Sequence, residues 1–194
     1  MTARKAPRPR YRVRRVTEHD LEAYRAVRLR ALAADRLAFG STLERERAFE
    51  ESLWKERLEA GATSRRESIW LAEGPRGRVV GMIGSFTDAE GPVIVAMWVE
   101  PRHRGHGVGG ALLDALLAWL DSADPPSSAR LSVNPDQSAA VALYRSRGFR
   151  PTGRSEPLPH APTVAVVEMR RPAPLGPGRA GASGTRSARA RSRR

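Results

Sequence analysis

Residues 101–110 read PRHRGHGVGG and join an apolar, strand-like segment to a long helix with an apolar stripe. The first turn of a helix has free N–H groups and the positive end of the helix dipole, and both attract anions. Glycines let the backbone come close to a ligand, and arginines add positive charge at the rim. The segment therefore predicts an anion cradle, for which a diphosphate is the natural guest.

Two familiar phosphate motifs do not account for this loop. The Walker pattern GxxxxGK[ST] is absent, and the dinucleotide pattern GxGxxG needs a different spacing and an early strand–helix–strand unit. A purely structural turn between strand and helix stays open as the alternative.

The flanking segments change between strand and helix periodicity. Strands are predicted at 11–17, 68–73, 78–87, 91–101, 129–134, near Phe149 and at 162–169. Helices are predicted at 19–35, 43–62, 108–123 and 136–149, with Gly61 and Gly148 as plausible stops. About seven strands and about four helices indicate an α/β (α+β) fold.

The charge of the chain is concentrated at its ends. It has 34 Lys and Arg against 21 Asp and Glu, a formal net charge of +13. Residues 1–15 and 170–194 hold seven and eight basic residues and no acid, so residues 16–169 carry −2. We expect solvated, low-complexity tails at 1–10 and 173–194 around a domain at 11–172. A weak, nonspecific contact with nucleic acid is their alternative role.

Composition also excludes several classes of site. The absence of cysteine excludes disulfides, thiolate catalysis and Cys-based zinc sites, and four scattered histidines predict no metal site. No apolar run reaches the roughly 18 residues of a membrane helix, and no apolar region follows the basic start as in a signal peptide. We expect a cytoplasmic protein without a membrane contact.

Two motifs, taken together, resemble those of a known family. Arg104-Gly105-His106-Gly107-Val108-Gly109 fits R-x-x-G-x-G, directly after Trp98-Val99-Glu100-Pro101. Ala139, Leu143-Tyr144 and Gly148-Phe149 fit A-x-x-x-L-Y-x-x-x-G-F. With the order of elements, these resemble the Gcn5-related N-acetyltransferase (GNAT) superfamily over residues 11–170. The resemblance implies a mixed, mostly antiparallel sheet, splayed at strands 4 and 5.

The resemblance also implies acetyl-CoA as co-substrate. The Val99 N–H would polarise the thioester carbonyl. Gln137 stands where many members have Asn, so it is a candidate contact only. The implied cofactor-binding residues are Met97, Trp98, Val99, Arg104, Gly105, His106, Gly107, Val108, Gly109, Gly110, Asn134, Gln137 and Tyr144.

Tyr144 matches the tyrosine that protonates the leaving thiolate in the family, although a helix aromatic in the core is the alternative.

A general base must deprotonate the attacking ammonium. Glu100 is the best placed by sequence, unless it is a solvated loop acid. Members that acetylate ribosomal protein N-termini tend to have Leu-Glu-Val where this chain has Leu131-Ser132-Val133, so that base is missing. Three further acids are candidates for binding the acceptor: Glu44, Glu46 and Glu73.

The sequence therefore predicts an acetyl-CoA-dependent N-acetyltransferase acting on a primary amine, most simply a small cationic metabolite or drug. Acetylation of a protein N-terminus or lysine is the alternative from the same fold. A non-catalytic acyl-CoA or RNA binder is the alternative from another class. A monomer and a homodimer are both compatible with the sequence.

Overall fold

A seven-stranded mixed sheet organises the computed structural model, which describes residues 11–123 and 126–174. The expected N-terminal tail at 1–10 lies outside these residues. The expected C-terminal tail at 173–194 lies outside them from residue 175 onward. The strand order is β1-β2-β3-β4-β5-β7-β6, and all neighbours are antiparallel except the parallel pair β4–β5. The strands are β1 (Arg12–Arg15), β2 (Glu67–Glu73), β3 (Val79–Asp88), β4 (Gly91–Val99), β5 (Ala129–Val133), β6 (Arg150–Leu158) and β7 (Ala161–Arg171).

Helices cover both faces of this sheet. They are α1 (Leu21–Ala34), α2 (Leu43–Arg47), α3 (Glu51–Thr63), α4 (Val108–Asp121) and α5 (Ser138–Ser146). One buried cluster joins α1 and α3 to the sheet through Val27, Trp54 and Leu71. Another joins α4 and α5 to the sheet through Leu112 and Tyr144, with Phe149 just after α5. The predicted mixed, mostly antiparallel fold is confirmed.

The single helix expected at 43–62 is wrong, because the chain breaks it into α2 and α3. Ala48 ends α2, and Glu50 is extended (φ −60°, ψ 150°) before α3 begins. The break lets α2 bury Glu46 while Trp54 of α3 packs in the core. A hydrophobic period cannot reveal such a break, since both pieces keep the same apolar stripe.

Gly61 does not stop α3, as the sequence suggested, because the helix continues to Thr63. A Cβ at this position would lie 2.6 Å from side-chain atoms of Ile69 in β2. The glycine therefore permits close approach of helix and strand. The strand near Phe149 is longer than the sequence suggested, because it forms β6 with nine residues.

Strands β4 and β5 separate at the centre of the sheet. Their pairing is at Val93 and Arg130, near the start of both strands. Further along, the register between β3 and β4 shifts after Met82, and Ala96 has a φ of +57°. This is a β-bulge, which bends the strand and frees backbone groups from the ladder. The bulge and the divergence of β5 open a gap in the sheet.

Candidate functional site

The glycine-rich segment forms one wall of a cavity of about 480 Å³, which we call the loop cavity. The opposite wall comes from the start of α5, and the floor from the end of β4. The lining residues are Asp35, Ala38, Met97, Trp98, Val99, Arg104, Gly105, Gly107, Val108, Gly109, Gly110, Asp136, Gln137, Ser138, Ala139, Ala140 and Leu143.

Main-chain amides supply the positive potential of this wall. The Ala111 N–H donates to the Gly107 carbonyl at 3.0 Å, so the N–H groups of residues 108–110 have no acceptor within α4. Gly107 adopts the left-handed region (φ +82°) as it caps the helix, and Gly105 does so too (φ +74°). A side chain would be strained at both positions. The local structure therefore needs glycine at these two positions in the wall of the loop cavity.

Asp35, at the end of α1, fixes this loop to the body of the protein. Its carboxylate accepts a hydrogen bond from Trp98 Nε1 at 2.6 Å and another from Arg104 Nη2. Arg104 Nε donates to the Val99 carbonyl at 2.8 Å. The Asp35 carboxylate and the Val99 carbonyl thereby hold Arg104 beside the cavity. Sequence reasoning missed Asp35, because nothing near it in the chain indicates that it meets a loop almost 70 residues later.

The Val99 amide faces the gap between β4 and β5. The Glu100 N–H donates to the Val80 carbonyl at 2.8 Å, and the register continues through Gly81 opposite Val99. Hydrogen-bonded and non-hydrogen-bonded pairs alternate in an antiparallel ladder. The N–H of Val99 is therefore directed away from β3, toward the side where β5 has diverged.

Tyr144 lies on α5 within the cluster that contains Val99 and Leu112. Its side chain is buried, and its ring packs edge-on against Phe149 with centroids 6.0 Å apart. Burial raises the pKa of the phenol above its ordinary value. At neutral pH the group is a proton donor and not a base.

The remaining predicted cofactor residues divide between the cavity and its support. Gln137 lines the loop cavity at the start of α5. Asn134 is buried and accepts the Asp136 N–H at 2.9 Å, which shapes the turn that leads into α5. His106 is exposed, and its Nδ1 is 2.8 Å from the Arg104 carbonyl oxygen.

A second cavity, of about 540 Å³, lies over strands β2 to β5, and we call it the sheet cavity. Helices α1 to α3 contribute Tyr24, Arg28 and Arg57 to its lining, and the strands contribute hydroxyl, acidic and apolar side chains. Ala38 lines both cavities, and the consecutive bulge residues Ala96 and Met97 line one each. The two cavities therefore meet at the bulge of β4.

Residues 29–149 match the model of the acetyltransferase (GNAT) family. The chain belongs to the GNAT family. Mycothiol acetyltransferase of Frankia alni is 36% identical over 111 residues, which are 51% of this chain and 32% of that protein. L-2,4-diaminobutyric acid acetyltransferase of Streptomyces anulatus is 30% identical over 83 residues, 41% of this chain and 47% of that protein. The matches thus span a third to about half the length of these relatives.

A solved GNAT-like structure shares the fold over most of the chain. The Salmonella typhimurium protein yncA, whose structure contains its cofactor acetyl-CoA, aligns with a TM-score of 0.69 at 17% identity. The alignment covers 90% of this chain and 99% of that one. At this level of identity, the likeness concerns the fold.

The acids predicted from sequence occupy different places in this GNAT domain. Glu46 lines the sheet cavity, is buried, and receives two hydrogen bonds from Arg28 at 2.9 and 2.6 Å. Burial favours a higher pKa for Glu46, but Arg28 holds it below its usual value. Glu44 is exposed, and Glu73 is bound by Arg14 at 2.6 Å. Neither of these two residues lines the loop cavity or the sheet cavity.

Glu100 follows β4 but lines neither of these cavities. Its Oε1 is 3.0 Å from Arg102 and 3.2 Å from Arg78. Its Oε2 is buried and has no hydrogen-bond partner within the described part of the chain. An ammonium would have to compete with two guanidinium groups for this carboxylate.

Across residues 11–123 and 126–174, no three His, Asp or Glu side chains come together as a metal would require. In the same residues, no helix combines the length and the apolar character that crossing a membrane demands.

Proposed function

We propose that this GNAT protein transfers the acetyl group of acetyl-CoA to a primary amine. The observation that carries the proposal is the meeting of two cavities at the β4 bulge. One is walled by free main-chain amides, as an anionic cofactor requires. The other is lined by apolar side chains and by charged side chains of both signs, including carboxylates that an amine acceptor can contact. Acetyl transfer needs these two ligands to meet at one point.

The loop cavity fits acetyl-CoA. A Cβ added at Gly105 or Gly107 would meet nothing within 4 Å, so both positions leave open space beside the free amides for a pyrophosphate. A Cβ at Gly109 would lie 3.1 Å from Met97 and 3.4 Å from Leu143, at the narrow part between loop and α5. The cofactor of yncA, which shares this fold, supports the same choice.

Three groups of the chain act on the reaction. Bound acetyl-CoA supplies an acetyl group activated as a thioester. The Val99 N–H, directed into the gap, donates to the carbonyl oxygen and stabilises its negative charge as the amine attacks. Tyr144 keeps its proton because burial raises the pKa of the phenol, and it donates that proton to the departing sulfur. The Asp35–Arg104 pair holds the loop in place.

The acceptor occupies the sheet cavity and presents its amine to the bulge. Among the described residues lining this cavity, Glu67 and Glu156 form no ion pair and suit a cationic amine. The name of the Streptomyces relative, which acts on a diamino acid, agrees with an acceptor of this size. Contacts of the acceptor with Glu44, Glu46 or Glu73 stay predictions, as does Glu100 as base.

An acceptor screen tests the proposal. The protein is mixed with acetyl-CoA and single amines, among them L-2,4-diaminobutyric acid, ethylamine and a lysine peptide, and the release of free CoA thiol is followed. We expect saturable turnover with at least one small amine and slower turnover with the peptide. Tight acetyl-CoA binding without thiol release from any amine would leave a binding protein and contradict the proposal.

A further inference from the structure

We propose that Glu156, through the hydroxyl of Ser132, takes the proton that the attacking amine must lose. This assignment rests on the proposed acetyl transfer. It concerns two residues from different strands that meet in the sheet cavity. Ser132 Oγ donates a hydrogen bond to Glu156 Oε1 at 3.3 Å, and both residues line that cavity.

The position of Ser132 relative to the bulge is set by the sheet. The parallel strands pair at Val93 and Arg130, and Ser132 lies two residues beyond Arg130 on β5. Two residues beyond Val93 is Val95, immediately before the bulge at Ala96. Ser132 therefore stands across the gap from the point where the two cavities meet.

Glu156 reaches this position from another part of the sheet. It lies on β6, which is separated from β5 by β7, and its side chain crosses β7 to Ser132. The carboxylate reaches Ser132 from β6, so no motif on β5 indicates it.

Glu156 differs from the acids that the sequence favoured. Glu46, Glu73 and Glu100 are each held by at least one arginine at 3.2 Å or less. Glu156 has no ion-pair partner among the residues that the structure describes, and it is exposed. No guanidinium therefore competes with an ammonium for this carboxylate, and its exposure gives a transferred proton a path to solvent.

Other charged groups face the same cavity and share its field. They are Arg28 on α1, Arg45 and Glu46 on α2, Arg57 on α3 and Glu67 on β2, whereas the lining residues of β3 and β4 carry no charge. Glu168 on β7 lies opposite Ser132, but its carboxylate is 3.6 Å from Arg130. Of the two acids in the cavity without an ion pair, only Glu156 contacts a strand that borders the gap.

The proton transfer balances as follows. The ammonium gives one proton to Ser132 Oγ while Ser132 gives its own proton to Glu156, which leaves a neutral amine. The amine nitrogen forms a bond to the thioester carbon, and the bond from that carbon to sulfur breaks. The sulfur takes a proton from Tyr144, which regains one from the acylated nitrogen. The products are the amide, CoA thiol and one proton, which Glu156 releases to water.

A pair of amines that are similar in size but differ in basicity tests this relay. Ethylamine is protonated at neutral pH and needs a base, whereas trifluoroethylamine is already neutral and does not. We expect Glu156→Gln to lower kcat/KM for ethylamine by about 100-fold and for trifluoroethylamine by less than about threefold. Ser132→Ala should show the same selectivity with a loss of about tenfold, since water replaces the hydroxyl.

The matched control is Glu59→Gln on α3, which removes an exposed acid that lines neither cavity and forms no ion pair with the described residues. It should change kcat/KM by less than about twofold for either amine, within the range of ordinary surface substitutions. Acetyl-CoA affinity, measured by calorimetry, should be unchanged in all three variants, which shows that the loop cavity is intact.

The possible outcomes separate the two proposals. An equal loss for both amines in Glu156→Gln would reveal a structural role and overturn the relay, and so would no loss for ethylamine. An effect of Glu59→Gln as large as that of Glu156→Gln would overturn it as well. A wild-type protein that releases no CoA with any amine would instead overturn the proposed acetyl transfer itself.

Discussion

The loop cavity and the sheet cavity meet at one bulge but are built from different parts of the chain. The loop cavity owes its character to main-chain amides of one short segment, residues 105–110. The sheet cavity is lined by side chains from three helices and several strands, which are distant in sequence. A site made of main-chain amides requires glycine at particular positions, so the spacing of these glycines can be recognised in the sequence. A side-chain site depends on the completed fold.

This difference predicts that the two cavities respond to mutation in different ways. Arg28 and Glu46, which line the sheet cavity, form a buried ion pair. Loss of this ion pair should lower the stability of the protein and have little effect on cofactor affinity. Glu46→Gln leaves the buried guanidinium without a counter-charge, and we expect a loss of about 3 kcal/mol in the free energy of unfolding at pH 7. Urea unfolding measures it.

The same variant carries a pH signature. The pKa of Glu46 is lower in the folded protein than in the unfolded chain, so its stabilisation is full above the unfolded pKa of about 4.3. It is lost as the pH falls toward the folded pKa. The gap between wild type and Glu46→Gln should therefore narrow below about pH 4. Glu44→Gln, an exposed change on the same helix, is the control. If this variant lost as much unfolding free energy as Glu46→Gln, the loss could not be assigned to the buried ion pair.

The loop cavity should respond in cofactor affinity instead of stability. Gly109→Trp places a ring between Met97 and Leu143, where a Cβ alone is already in contact. We expect acetyl-CoA to bind at least about 100-fold more weakly, which corresponds to about 2.7 kcal/mol. Ala111→Trp, on the exposed side of the same helix, controls for the new ring. Unchanged affinity of Gly109→Trp in calorimetry would show that the cofactor lies elsewhere.

A smaller effect is expected at Tyr144, which is buried on α5 in the cluster that contains Val99. Tyr144→Phe keeps the packing against Phe149 and removes only the hydroxyl. We expect kcat to fall by at least about tenfold because the thiolate leaves without its proton, while acetyl-CoA affinity changes by less than about twofold. Steady-state kinetics beside calorimetry measures both. Full activity in the variant would make Tyr144 a core aromatic, which was the alternative from sequence.

Much of the loop cavity could be predicted from the sequence, because its main-chain amides come from one short segment. The loop at 105–110 and the pattern around Tyr144 are local in the chain, and they predicted the family and the fold that the structure has. Asp35 could not be predicted, because its partners Trp98 and Arg104 lie more than 60 residues away.

The sheet cavity, where we propose that the acceptor binds, was much harder to predict. Three of the four acids favoured by sequence turn out to be held by arginine partners, which come from other elements of the fold. Glu156 drew no attention because it lies in a strand whose length the sequence did not show. The break between α2 and α3, which buries Glu46, is likewise a consequence of tertiary packing overriding a continuous periodic pattern.

The proposals above depend on one claim, that main-chain amides at the end of β4 and at the α4 N-terminus hold acetyl-CoA. A titration of the ¹⁵N-labelled protein with acetyl-CoA, followed by amide chemical shifts, tests it most directly. We predict the largest changes at the N–H groups of Val99 and residues 105–110, with little change along the outer strand β6. Saturable binding that leaves the amides of 105–110 unmoved and shifts other segments would contradict it.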